Sequence, residues 1–314
     1  MPIFPTGAWP GTLPAIVEPR LAAVLALVLA AVGLTALLRE RPRLAGTTLA
    51  AVWCWELVSL LAIGLTELLV ALVAGGSVES WVLPLRLVAA TSSFLPTMAL
   101  LGAKRPQDRA WQWIVGTLWC ILSLPSGQWL LFGGVREMHP AQLVFLAILV
   151  GVGLVNGLAT RLWPVSVFFA AGQLALLAPF YAATFARDVG PAVPLAGFAL
   201  LVAAWLLRTR QRPRPRAAAA PLDRVWLDFR DAFGAVWGVR IMERMNAAAA
   251  MYGWPVTLTW NGFRAQAEGD SLTAAPDQVA ESLRTLLRRF VSAEWIDARL
   301  LPREPATAPT ALTA

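Results

Sequence analysis

The chain is short of the residues that carry most protein chemistry. It has one histidine, His139, one lysine, Lys104, and two cysteines, Cys54 and Cys120. A single imidazole excludes bis-histidine haem ligation within the chain and a histidine-rich zinc site. Both cysteines fall inside apolar runs with no CxxC spacing, so neither a disulfide framework nor a thiolate metal site is indicated. HExxH is missing, and no Walker loop or GxGxxG opens the C-terminal part. No aspartate lies in a predicted span, against an intramembrane aspartyl pair. The last apolar stretch, Leu195–Leu207, holds no lysine for a retinal Schiff base. No cofactor, no metal and no catalytic residue is expected. A Ser126–His139 dyad is the nearest thing to an enzyme's site, and no motif supports it.

Charge is scarce too. Charged residues make up 14% of the chain and hydrophobic ones 58%, against roughly 25% charged in soluble proteins. One soluble core cannot bury so much apolar surface, so a polytopic membrane protein is expected. The net charge of +7 does not point to nucleic acid. The arginines cluster at the ends of apolar runs, where membrane topology explains them.

What is present is helix-length apolar segments. Seven spans are predicted, at about 20–38, 47–74, 81–102, 111–132, 140–161, 163–185 and 190–207, each near or above the ~17–20 residues that cross a bilayer. Each must be helical, because lipid offers no partners to backbone N–H and C=O groups. Residues 1–19 contain no Lys or Arg before Arg20, so the first span lacks a signal peptide's basic start and is expected to stay in the membrane. Alternate loops collect the positive charge. One set holds Arg39, Arg41, Arg43, Lys104, Arg105, Arg109, Arg161 and the arginines after the last span; the other holds only Arg20, Arg136 and Arg187. Positive loops stay in the cytoplasm. The expected localisation is therefore the cell (plasma or inner) membrane, multi-pass, N-terminus outside and C-terminus cytoplasmic. Trp81 and Trp129 near one boundary, and Trp111, Trp113, Trp163 and Trp205 near the other, fit an aromatic belt.

The expected fold class is an all-α polytopic membrane bundle of seven transmembrane helices followed by a small α+β cytoplasmic module. Residues 1–19 are read as a short outer tail, 20–207 as the bundle, 208–221 as an Arg/Pro/Ala-rich linker, 222–300 as the module and 301–314 as a disordered tail. The module reads helix, hairpin, helix. Trp226, Phe229, Phe233, Val236, Trp237, Ile241 and Met245 recur at helical spacing. Asn261-Gly262 between alternating runs predicts a hairpin turn with two positive φ angles. Residues 276–291 predict a second helix, with Pro276 in its first turn. Asp223, Asp228, Asp231 and Glu243 read as solvated charges on a helix surface.

Ionisable residues in a span are the functional candidates. Glu67 and Arg86 match in depth across a tight loop, so an intramembrane ion pair is expected. Glu56 has no cation at its depth and is expected to join a polar cluster with Asn156 and Thr117. Gly153 and Gly157 give the GxxxG spacing that lets helices pack closely. Arg208, Arg210, Arg212, Arg214 and Arg216 form a basic linker expected to mark sidedness or face anionic lipid. The lipid bilayer is the expected partner, together with a protein partner or self-association through the module. The leading functional expectation is a non-enzymatic anchor, scaffold or sensor. The alternatives are an ion or small-molecule transporter using Glu56, and an intramembrane enzyme.

Overall fold

The computed structural model describes residues 18–73, 79–132, 138–181, 192–211, 220–265 and 276–300. The expected outer tail, most of the linker and the C-terminal tail lie outside them. Among the described residues the chain is mostly helical, with a single two-stranded sheet. Seven helices are long and apolar enough to cross a membrane. They are α1 (Pro19–Glu40), α2 (Ala50–Val73), the pair α3 (Glu79–Ser92) and α4 (Leu95–Leu101), α5 (Asp108–Phe132), α6 (Pro140–Leu158), α7 (Trp163–Tyr181) and α8 (Ala192–Arg210).

The third of these is broken, and Pro96 is the cause. Its ring nitrogen cannot donate to Ser92 O, one turn back, as a helix requires. Two 3₁₀-type bonds, Ser93 N to Ala90 O and Phe94 N to Thr91 O, tighten the chain at the break. The freed carbonyls find side chains on neighbouring helices. Ser59 Oγ donates to Ser92 O at 2.6 Å, and Gln173 Nε2 to Ser93 O at 3.1 Å. Pro84, Pro125 and Pro179 sit inside helices that continue past them.

A glycine pair lets α7 and α8 cross closely. A Cβ on Gly172 of α7 would stand 2.9 Å from Gly197 O of α8, and one on Gly197 would stand 3.0 Å from Gly172 O. Backbone meets backbone there. Trp205, one turn from the end of α8, turns inward: it is 1% exposed and edge-on to Phe169. The outer faces are a different surface: Leu61, Leu65, Leu69 and Leu72 on α2, and Val144, Phe145, Ile148 and Val155 on α6, all point away from the protein.

Three further helices and one hairpin form the C-terminal module. α9 (Pro221–Tyr252) is followed by β1 (Val256–Thr259), β2 (Gly262–Ala265), α10 (Pro276–Leu287) and α11 (Ala293–Leu300). The expected single helix over 276–291 stops at Leu287, and a bridge between Val291 and Thr47 starts a new direction before α11. The helical stripe on α9 is the core. Phe229, Phe233 and Trp237 surround the Phe290 ring with centroids at 5.3, 5.4 and 4.8 Å. The hairpin turn also differs from expectation. Thr259 pairs with Gly262, so Trp260 and Asn261 make the turn, and only Gly262 has positive φ, at 129°. Contacts to α9 hold this turn: Trp226 Nε1 donates to Thr259 O, Arg230 donates to Trp260 O, and Phe263 N donates to Asp223.

The module is docked on the bundle rather than tethered to it. Three loops at one end of the bundle hold it. From the α1–α2 loop, Gly46 O accepts from Ser292 N at 2.6 Å, and Thr48 N donates to Phe290 O at 2.9 Å. From the α4–α5 loop, Arg105 N donates to Arg289 O at 2.8 Å. Ala159 O, just past α6, accepts from Trp260 Nε1 at 2.7 Å. Leu49 and Ala103 are buried in the module's own apolar core. These loops and the helix ends beside them carry Arg39, Arg41, Arg43, Lys104, Arg105, Arg109 and Arg161, so the basic residues and the module share one end.

Candidate functional site

The site lies where the bundle meets the module, and Arg208 is its centre. α8 runs three residues beyond its apolar stretch, to Arg210. A helical side chain leans toward the N-terminus of its own helix, so the Arg208 guanidinium points back into the bundle. It meets Glu56 in a two-pronged contact, Nη1 to Oε1 and Nη2 to Oε2, both 2.6 Å. Glu40 Oε2 lies 3.8 Å from Arg208 Nε, and Arg43 donates to Glu40 Oε1 at 2.7 Å. Arg43 also donates to the carbonyls of Arg208 and Thr209 at the end of α8. Glu56 and Glu40 are only 4% and 5% exposed. Two carboxylates and two guanidinium groups balance in charge.

This corrects two expectations. Glu56 does have a cation, supplied by a residue read as linker. Arg208 is accordingly not part of a lipid-facing strip; Arg210 is exposed at the end of α8, and Arg212, Arg214 and Arg216 lie outside the described residues.

Of the expected cluster, Glu56 and Asn156 line one cavity, and Thr117 does not join them. Thr117 is exposed and bonds to Trp113 O in its own helix. Asn156 also serves the module. α9 is interrupted at Gly234, with φ 78° and ψ −172°. The break frees the N–H groups of the following turn, and Asn156 Oδ1 accepts from Val236 N at 3.0 Å. A bundle residue thus acts as an N-cap for the second half of a module helix. Gly153 faces Thr97 of α4, and Gly157 lies against Ser166 of α7, so the GxxxG glycines admit two different neighbours.

Glu67 and Arg86 meet away from this junction. Arg86 Nε donates to Glu67 Oε1 at 2.9 Å and Nη2 to Oε2 at 2.8 Å, with Glu67 4% exposed. A lysine would keep the charge but not the fork. Arg86→Lys is expected to cost about 1.5 kcal/mol, the worth of one charged hydrogen bond, measured as a lowered unfolding midpoint in detergent.

Three of the four acidic residues read as solvated are engaged. Asp223 accepts from Phe263 N, Asp228 pairs with Arg299 at 2.8 Å, and Asp231 takes Arg230 at 2.8 Å and Arg161 N at 3.3 Å. His139 Nδ1 accepts from Ala141 N at the start of α6. Ser126 Oγ has no hydrogen-bond partner among the described residues, so no Ser126–His139 bond is made. The described residues contain no group of three or more potential metal ligands.

A cavity of about 170 Å³ opens beside this junction. Glu56, Arg208, Asn156 and Gln173 supply polar groups to walls otherwise formed largely by apolar side chains, among them Val52, Leu154 and Phe169. Gly234 is part of the same wall. A second cleft, of about 320 Å³, shares Arg208, Asp231 and Leu44 with it and adds Arg43 and Arg161.

The fold and the site define a bundle of seven bilayer-length helices with a C-terminal module docked at the end where Arg208, Glu56, Glu40 and Arg43 tie α1, α2 and α8 together. No family model, no curated protein and no solved structure matches the chain.

Proposed function

We propose that this is a non-enzymatic multi-pass protein of the cell membrane, with its N-terminus outside and its module in the cytoplasm, that senses a small amphipathic molecule. The band of outward-facing leucine, isoleucine, valine and phenylalanine supports the membrane placement, since water disfavours a contiguous apolar surface of that extent. The collection of basic loops at the module's end supports the sidedness. The observation that carries the sensing role is the cavity at the joint, whose wall includes both Asn156 and the Gly234 break that it caps. A few polar groups in an apolar concave site suit an amphiphile. Its tail would lie by Leu154 and Phe169, and its polar end by Arg208. Filling the cavity would press on the break in α9, and the module would report that change to a protein partner or a second copy.

A transport reading draws on the broken third span, because unwound backbone at mid-membrane is how many transporters bind ions. Here Ser59 and Gln173 already occupy the freed carbonyls, and Arg208 occupies Glu56. The sensor reading is therefore preferred.

Thermal unfolding of the full chain in mild detergent, with and without total polar lipid extract from its native membrane, tests the proposal. The extract is expected to raise the midpoint of the wild type. Val165→Trp, which fills the cavity, should respond less, keeping only the part of the response that arises outside the cavity. An equal response from both proteins, or none from the wild type, overturns the reading.

A further inference from the structure

A separate cleft lies on the module's flank, apart from the amphiphile cavity and from the cleft beside Arg43. It has a volume of about 460 Å³ and runs between the α4–α5 loop, the second half of α9 and the end of α10. Lys104, Arg240, Arg244 and Arg289 line it, and Glu243 is its one carboxylate. It adjoins another cleft, of about 440 Å³, that shares Lys104, Gln107 and Arg289 and adds Arg105 and Arg288. Three guanidinium groups elsewhere in the module are matched: Arg299 with Asp228, Arg284 with Asp297, Arg230 with Asp231. Here they are not. Among the described residues, no carboxylate oxygen lies within ion-pair distance of Lys104, Arg105, Arg240, Arg244 or Arg289.

The frame that carries these cations is fixed, and so is one of the guanidinium groups. Arg105 N is bonded to Arg289 O, which pins the loop to the end of α10. The Arg240 guanidinium stands 5.0 Å from the centre of the Trp237 ring, and Trp237 Nε1 is bonded to Leu100 O. Like charges gathered without counter-charge repel one another, and an anion relieves that cost. The Lys104 ammonium already shows the strain. Partial burial, and then Arg289, Arg244 and Arg240, hold its pKa below the usual lysine value.

We propose that the cleft between Lys104, Arg240, Arg244 and Arg289 binds a phosphate group. Guanidinium forks match phosphate oxygens in pairs, and lysine adds a point charge. The source that best fits the position is the headgroup of an anionic lipid. The cleft reaches Leu101, Gly102 and Trp111 at the end of the helical bundle, the depth at which headgroups lie if the helices cross a bilayer. The inference stands on this cleft and not on the ligand cavity beside Glu56.

The test is native mass spectrometry of the full chain in neutral detergent, titrated with short-chain phosphatidylglycerol, phosphatidylcholine or inorganic pyrophosphate. Phosphatidylglycerol is expected to bind at least tenfold more tightly than phosphatidylcholine. Lys104→Gln/Arg244→Gln/Arg289→Gln should lose that preference. Arg284→Gln, which removes a paired cation of α10 outside the cleft, should keep it. Arg244 and Arg289 are exposed and Lys104 is partly buried, so the unfolding midpoint serves as the check on folding. Pyrophosphate binding that the triple variant abolishes, without a lipid preference, assigns the same phosphate site to a soluble ligand. Binding of both anions that is unchanged in a folded triple variant, or absent from the wild type, overturns the proposal.

Discussion

Arg208→Leu is expected to destabilise the protein by about 3–5 kcal/mol, the cost of leaving a buried ion without its partner. Arg208 faces Glu56 at 2.6 Å through both prongs and lies 3.8 Å from Glu40. Removing it strands Glu56, whereas Glu40 keeps Arg43 at 2.7 Å. The unfolding midpoint in detergent should fall by on the order of 10 °C. Glu56→Leu/Arg208→Leu should recover most of the loss, because exchanging a whole buried pair for apolar side chains is often close to neutral. The comparison separates two meanings of the pair. Recovery by the double variant assigns the cost to the unpaired carboxylate; failure to recover assigns it to the geometry that the fork imposes on α2 and α8. A midpoint within about 1 °C of wild type in Arg208→Leu would mean that water reaches the joint and solvates Glu56.

The joint also shows where sequence reasoning reaches and where it stops. Glu67 and Arg86 could be paired on paper because both sit inside apolar runs joined by a short turn, so depth alone constrains them. Arg208 could not. It follows the last apolar residue of its run, and by composition it belongs with Arg210 and the arginines beyond. Only the extra turn of α8 and the backward lean of a helical side chain bring it to Glu56. The α9 stripe was legible because its spacing of three and four residues passes through Gly234 with little change of face. The break itself was not, since a glycine within a helical pattern is usually tolerated. The hairpin was legible from its alternation, but its turn was not. Trp226, Arg230 and Asp223 on α9 bind the turn's backbone, and that tertiary demand outweighs the local preference of Asn261-Gly262. The docking of module on bundle left no mark in composition, because most of its hydrogen bonds use backbone groups that every residue has.

Gly234→Ala is the second large effect. The backbone there, φ 78° and ψ −172°, is a region that only glycine enters readily, and other residues lose about 1–3 kcal/mol in it. A methyl group would also run into the Asn156 side chain. Pushing Asn156 aside breaks its bond to Val236 N, and an N-cap of this kind is worth about 1 kcal/mol. The two costs together come to about 3 kcal/mol. Asn156→Ala alone should cost only about 1 kcal/mol, because the glycine still permits the break. In Asn156→Ala/Gly234→Ala the clash is gone and the backbone cost remains. The double variant should therefore be less destabilised than the sum of the singles, a coupling that distant sites do not show. The unfolding midpoints of the four proteins supply all the terms. Strict additivity would mean that Asn156 does not touch the break. A Gly234→Ala protein as stable as wild type would mean that α9 straightens at little cost, and then a ligand in the cavity beside it would have nothing to push against.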